Sequence, residues 1–230
     1  MHELLNALGP ANLVALIVYI LFWLTFELVT DYSPLHAKSM TGLMAEKRRQ
    51  WMLEMVNRDL RMVDTQIIAG LQQGSAFFAS TSIFAIGGCF ALLGSTDTVL
   101  QIYRDLPMAS EFSRALWEVK VLGLALLFAY TFFKFGWSYR IFNYCSILVG
   151  AVPSNQDGDR RQMEKSALMA ANMNIIGGRH FTAGLRGIFF ALAYMGWFIG
   201  PKTLLISSFF VLLILIRRQY FSHARAVLID

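Results

Sequence analysis

Apolar residues in this chain fall into blocks, and the gaps between the blocks differ sharply in charge. The blocks cover residues 12–29, 75–93, 115–136, 185–199 and 203–216. The first reads NLVALIVYILFWLTFELV, and the third carries no charge from 121 to 133. Crossing about 30 Å of hydrocarbon takes roughly 20 residues of helix, so each block, with its flanks, predicts a transmembrane span. Gly200-Pro201-Lys202 separates the last two. Proline cannot continue a hydrogen-bonded helix and glycine tolerates turn dihedrals, so a tight hairpin fits there. A single kinked helix from 188 to 216 would be about 43 Å long, well beyond the apolar slab.

The polar gaps between the spans are themselves periodic. Between 40 and 71, Met52, Val56, Leu60, Val63, Ile67 and Leu71 recur every three to four residues, which predicts one helical stripe continuing into the second span. The third span is expected to run on past Lys134 through Trp137, Phe142 and Leu148 and to stop near Pro153. A turn at 154–159 follows. Asp159 then caps a helix carrying Met163, Ala167, Ala170 and Met173 that ends at Gly177-Gly178. The fold class is therefore all-α: a polytopic membrane bundle of about five spans with long helical cytoplasmic extensions, at about 40–71 and 137–178. Residues 1–230 form one integral membrane domain.

Charge orients this bundle. The 30–74 gap holds Lys38, Lys47, Arg48, Arg49, Arg58 and Arg61. The gap from 136 to 183 holds Arg140, Arg160, Arg161, Lys165 and Arg179, with Arg186 just beyond, and the tail holds Arg217, Arg218 and Arg225. The alternate gaps are poor: Arg104 and Arg114 in one, Lys202 in the other, and no lysine or arginine before the first span. The positive-inside rule then places the N-terminus outside and the C-terminus in the cytoplasm, as in a bacterial inner membrane. Five spans satisfy every gap, whereas four would put the basic tail outside. The first span is read as a retained anchor, since no small-residue cleavage site follows it.

Composition agrees. The chain is 56% hydrophobic and only 15% charged, against about a quarter charged for a soluble domain. The net charge of +5 reads as topological bias and attraction to anionic lipid headgroups, not as nucleic-acid binding. Two cysteines give neither a disulfide framework nor a metal site. His2, His36, His180 and His223 never fall at ligand-pair spacing, and no HExxH, CxxC, GxSxG or phosphate loop occurs. Asn155-Gln156-Asp157-Gly158-Asp159 has the wrong glycine position for a calcium loop, and Ser166 stands where its glutamate belongs. No enzymatic activity, metal or cofactor is expected.

Two groups of residues carry candidate function. Glu27, Lys134 and Arg186 are ionisable side chains at or near span ends. Such groups mark ion paths or anion attraction, or else pair with one another at the interface. The second is the polar approach and core of the second span: Gln66, Gln73, Gly74, Phe77, Phe78, Thr81 and Ser82. Gly70 and Gly74 form a small-xxx-small pair, and positions 74, 78, 81, 85 and 88 share a helical face. Small and hydroxyl residues ordinarily serve tight helix packing. The sharper reading is a pore lined by symmetry copies of this helix, with phenylalanines as the constriction.

Short motifs also carry a family resemblance. They are Ala79-Ser80-Thr81-Ser82, Gly184-Leu185-Arg186-Gly187 with Phe189-Phe190-Ala191-Leu192-Ala193, Trp197 with Gly200-Pro201, and 213–218 followed by Phe221. In these the chain resembles the bacterial and plant membrane family catalogued as domain of unknown function 599. The resemblance implies a multi-span membrane fold and brings no activity or site. The expected function is a homo-oligomeric channel or transporter-like protein with the second span lining the path. The alternative is a non-catalytic subunit or scaffold among partner membrane subunits.

Overall fold

A computed structural model describes residues 2–104, 113–153 and 159–229. They form eight α-helices and no strand. α1 spans His2–Tyr32 and is broken at Gly9, whose φ of 66° suits only glycine. Pro10 then opens the apolar segment, where its missing N–H costs nothing. A 3₁₀ turn at Pro34–Lys38 leads to α2, Met40–Met55. Ser39 caps α2 by accepting from the Gly42 N–H at 3.1 Å. α3 is Met62–Gly94, α4 Thr96–Arg104, α5 Arg114–Gly150 and α6 Arg160–Ile199. α7 is Pro201–Tyr220 and α8 His223–Ala226. Five helical segments, those of α1, α3, α5, α6 and α7, are long and apolar enough to cross a membrane. The protein is an all-α integral membrane protein.

Gly200 alone separates α6 from α7, with Pro201 at the first helical position, so the predicted hairpin forms. Asp159 caps α6, accepting from the Arg161 N–H at 3.1 Å. The calcium-like residues at 154–158 lie outside the described residues.

Two expectations fail. The stripe from 40 to 71 does not lie on one helix, because α2 ends at Met55 and α3 begins at Met62. Met52, Met55, Val56 and Ile68 are buried, while Leu60 is 76% exposed. The break lets Arg61 reach the end of α5, donating to the carbonyls of Val149 at 3.3 Å, Val152 at 2.5 Å and Pro153 at 2.8 Å. Val149 lies in the last turn of α5, where helix geometry leaves carbonyls short of donors, and Val152 and Pro153 follow its end. The second failure is at Gly177-Gly178, which does not end a helix: α6 runs straight through. A Cβ on Gly177 would lie 2.8 Å from the Phe142 ring. The glycine is there for close approach, not for a turn.

By Cα proximity the chain divides into two compact units. One comprises Met1–Ser33, Thr81–Thr131 and Leu185–Arg217, the other Pro34–Ser80, Phe132–Gly184 and Arg218–Asp230. The first has an aromatic core around Tyr19, Phe190, Tyr194 and Trp197, with Val121, Leu124 and Leu204. The Tyr19 hydroxyl donates to the Phe190 carbonyl at 3.0 Å. The second packs Met52, Met55, Val56 and Ile68 against Phe142, Cys145 and Val149, and against the small face of α6 at Met163, Ala167, Ala170 and Ala171. Alanines at this spacing let helices approach closely.

Candidate functional site

α3 carries polar residues on two opposite faces, and the structure treats them differently. At every seventh position from Ile68, the α3 residues Ser75, Ser82 and Cys89 are buried. The Ser75 hydroxyl lies 3.1 Å from that of Ser138, which donates to the Gly177 carbonyl at 2.9 Å. Ser82 accepts from the Thr131 hydroxyl at 2.9 Å. Hydroxyls that bridge helices in this way serve packing. Phe78 belongs to this inward side, stacked on Phe135 at 5.2 Å and edge-on to Phe181 at 5.7 Å.

The outward face carries Gln66, Gly70, Gln73, Phe77, Ser80, Thr81, Phe84, Gly87 and Gly88, all exposed. A Cβ at Gly70, Gly74, Gly87 or Gly88 would meet nothing within 4 Å. Phe77 is 65% and Phe84 79% exposed. Only 11% of the apolar window of α3 is buried, against 50% for α6. The face proposed from sequence is thus split. Thr81, Gln66, Gln73 and Phe77 point outward, Ser82 and Phe78 inward, and Gly74 lies at the edge.

The charged candidates take separate partners. In the first unit, Arg186 is buried and grips Asp31 through both carboxylate oxygens, at 2.9 and 3.1 Å. Its guanidinium also lies 5.5 Å from the Phe26 ring. Glu27 accepts the Tyr130 hydroxyl at 2.8 Å. Sequence spacing puts Glu27 and Asp31 on one helical face, but no pattern marked Tyr130 as a partner. An open apolar groove of about 590 Å³ beside this cluster is lined by Leu16, Tyr19, Trp23, Glu27, Leu126 and Tyr194 among others. The Trp23 indole N–H is buried without an acceptor. Lys120 is also buried, donating to the Trp197 carbonyl at 2.7 Å. In the second unit, Lys134 is half-buried on α5, within electrostatic range of His180.

The second unit holds a network that sequence reading missed. Arg48 donates to the Asn174 side-chain oxygen. The Asn174 amide donates to Cys145 Sγ at 3.5 Å, and that thiol donates to the Ala170 carbonyl at 3.4 Å. Burial lowers the Arg48 pKa from its ordinary value, an effect that leaves a guanidinium protonated. Beside it lies a cavity of about 190 Å³, lined by Met40, Thr41, Met44, Ala45, Arg48, Ile175, Gly178, Arg179, Thr182 and Gln219. Nearby, Asp64 gathers the Trp51 indole N–H at 2.7 Å and Arg58 at 2.6 Å. Among the described residues, no group of three His, Cys, Asp or Glu side chains is placed to hold a metal.

A family model described as protein of unknown function, DUF599, matches residues 14–224. The chain belongs to that family. No curated protein and no solved structure matches it. Membership in DUF599 fits a helical membrane protein and assigns no chemistry to Arg186, Glu27 or the α3 faces.

Proposed function

We propose that this DUF599 member is a homo-oligomeric channel or transporter-like protein of a bacterial inner membrane, with the outward face of α3 lining the path. One observation carries the reading. Gln66, Gln73 and Ser80, with four glycines, are uncovered on a helix whose opposite polar face is already satisfied. An amide or hydroxyl facing hydrocarbon without a partner costs about 2 kcal/mol or more. Water in a path, or donors from a second copy, removes that cost. The alternation of basic gaps supports an outside N-terminus and a cytoplasmic C-terminus, with the basic segments meeting anionic headgroups.

The alternative is a non-catalytic subunit or scaffold. Open space over Gly70, Gly74, Gly87 and Gly88 supports it, because such a surface admits a partner helix at close range. Purified protein in liposomes separates the two. Ion or solute flux that falls when Thr81 or Gly88 is replaced by Leu supports the path. Absence of flux under every imposed gradient, with α3 crosslinking to another membrane subunit, supports the scaffold. A monomer in mild detergent by light scattering contradicts the oligomer.

A further inference from the structure

We propose that the cavity between Arg48 and Arg179 in the second unit is an anion site that takes a phosphate group, either free or as the headgroup of a membrane lipid. The cavity joins α2, which supplies Met40, Thr41, Met44, Ala45 and Arg48, to α6, which supplies Ile175, Gly178, Arg179 and Thr182, and Gln219 closes it from α7. Two arginines, one on α2 and one on α6, therefore line one small space. Neither has a carboxylate partner among the described residues: Arg48 meets only the Asn174 amide oxygen, and Arg179 has no ion pair. The other arginines of this unit that approach an acid do so elsewhere, Arg49 at Glu46, Arg58 at Asp64 and Arg160 at Glu164. No acidic residue lines the cavity.

A largely buried cation without a counter-ion is costly, and an anion repays that cost. The guanidinium presents five N–H donors in a planar fork suited to phosphate oxygens, and Arg48 commits to Asn174 through one of its nitrogens. Neutral polar groups complete the lining. The Gln219 amide donates to the Thr41 hydroxyl at 2.6 Å, and Thr182 donates to the Gly178 carbonyl at 2.9 Å. Gly178 matters sterically, because its Cβ position is 3.2 Å from the Arg48 guanidinium carbon. A side chain there would push the guanidinium aside. The cavity volume of about 190 Å³ equals roughly six waters at about 30 Å³ each. That is room for a phosphate with its hydration, and too little for a drug-sized organic ligand.

The test uses the full chain in nanodiscs of phosphatidylcholine, titrated calorimetrically with inorganic phosphate at constant ionic strength set by chloride. In parallel, native mass spectrometry reads lipid retention from nanodiscs doped with phosphatidic acid. Saturable phosphate binding that weakens about tenfold in Arg179→Gln, and more in Arg48→Met, is expected if the site takes free phosphate. Retained phosphatidic acid that both substitutions strip, without binding of inorganic phosphate, assigns the same site to a headgroup. Arg179 is exposed, so its variant folds even where Arg48→Met does not. Neither ligand binding to the wild type, or binding that Arg179→Gln leaves unchanged, overturns the proposal.

Discussion

Removing one partner of the Arg186–Asp31 pair separates a structural ion pair from a displaceable one. The Arg186 side chain is 4% exposed and that of Asp31 21%. Two parallel hydrogen bonds hold them, and the Phe26 ring adds a cation–π contact. Deleting one member of a buried pair costs about 3–5 kcal/mol, because the remaining charge stays desolvated, whereas replacing both is often near neutral. Asp31 keeps some access to water, so Arg186→Met is expected at the low end, about 3 kcal/mol, and Asp31→Leu, which strands the guanidinium, at about 4 kcal/mol. The double variant should lose only about 1–2 kcal/mol, less than either single change. Equilibrium unfolding in mixed micelles measures all three. Additive losses in the double variant would refute the reasoning, since they mean that the two charges do not depend on each other.

The packing reading of Gly177 predicts that Gly177→Ala, which drives a methyl into the Phe142 ring, destabilises by about 1–3 kcal/mol. Gly70→Ala, with open space around it, should leave the folded chain unharmed or gain about 0.5–1 kcal/mol of helix propensity, checked by the same unfolding assay. Arg61→Ala removes the donor to three carbonyls at the end of α5. It should cost about 2 kcal/mol and raise amide hydrogen exchange near residues 149–152. Ser138→Ala breaks the bridge from Ser75 to the Gly177 carbonyl. It leaves a buried acceptor short of a donor, for a loss of about 1–2 kcal/mol by thermal unfolding in detergent.

The five spans were legible because lipid permits few solutions: apolar length and basic gaps carry the information. Asp159 and Gly200-Pro201 were legible because caps and turns are local chemistry. The break after Met55 was not, because its cause is a distant acceptor set: Arg61 closes the end of α5, which sequence spacing does not show. Gly177-Gly178 misled for the same reason. A glycine that makes room for Phe142 and one that ends a helix are identical in sequence. At the candidate site, residue types on α3 were visible but their directions were not. Ser75 and Ser82 lie seven apart and share the inward face, while Thr81, one residue from Ser82, faces outward. Helix rotation is fixed by Ser138 and Thr131 on α5, partners that only the fold reveals.

The central claim is that the outward face of α3 meets water or a second copy rather than lipid. Single cysteines placed through residues 66–91 in native membranes, probed with a membrane-impermeant maleimide and with a short crosslinker, test it directly. The account predicts modification or inter-copy crosslinking at positions 73, 77, 80, 81, 84 and 87, recurring every three to four residues, with 75 and 82 silent. Uniform silence along the outward face, together with a monomeric protein, would contradict it.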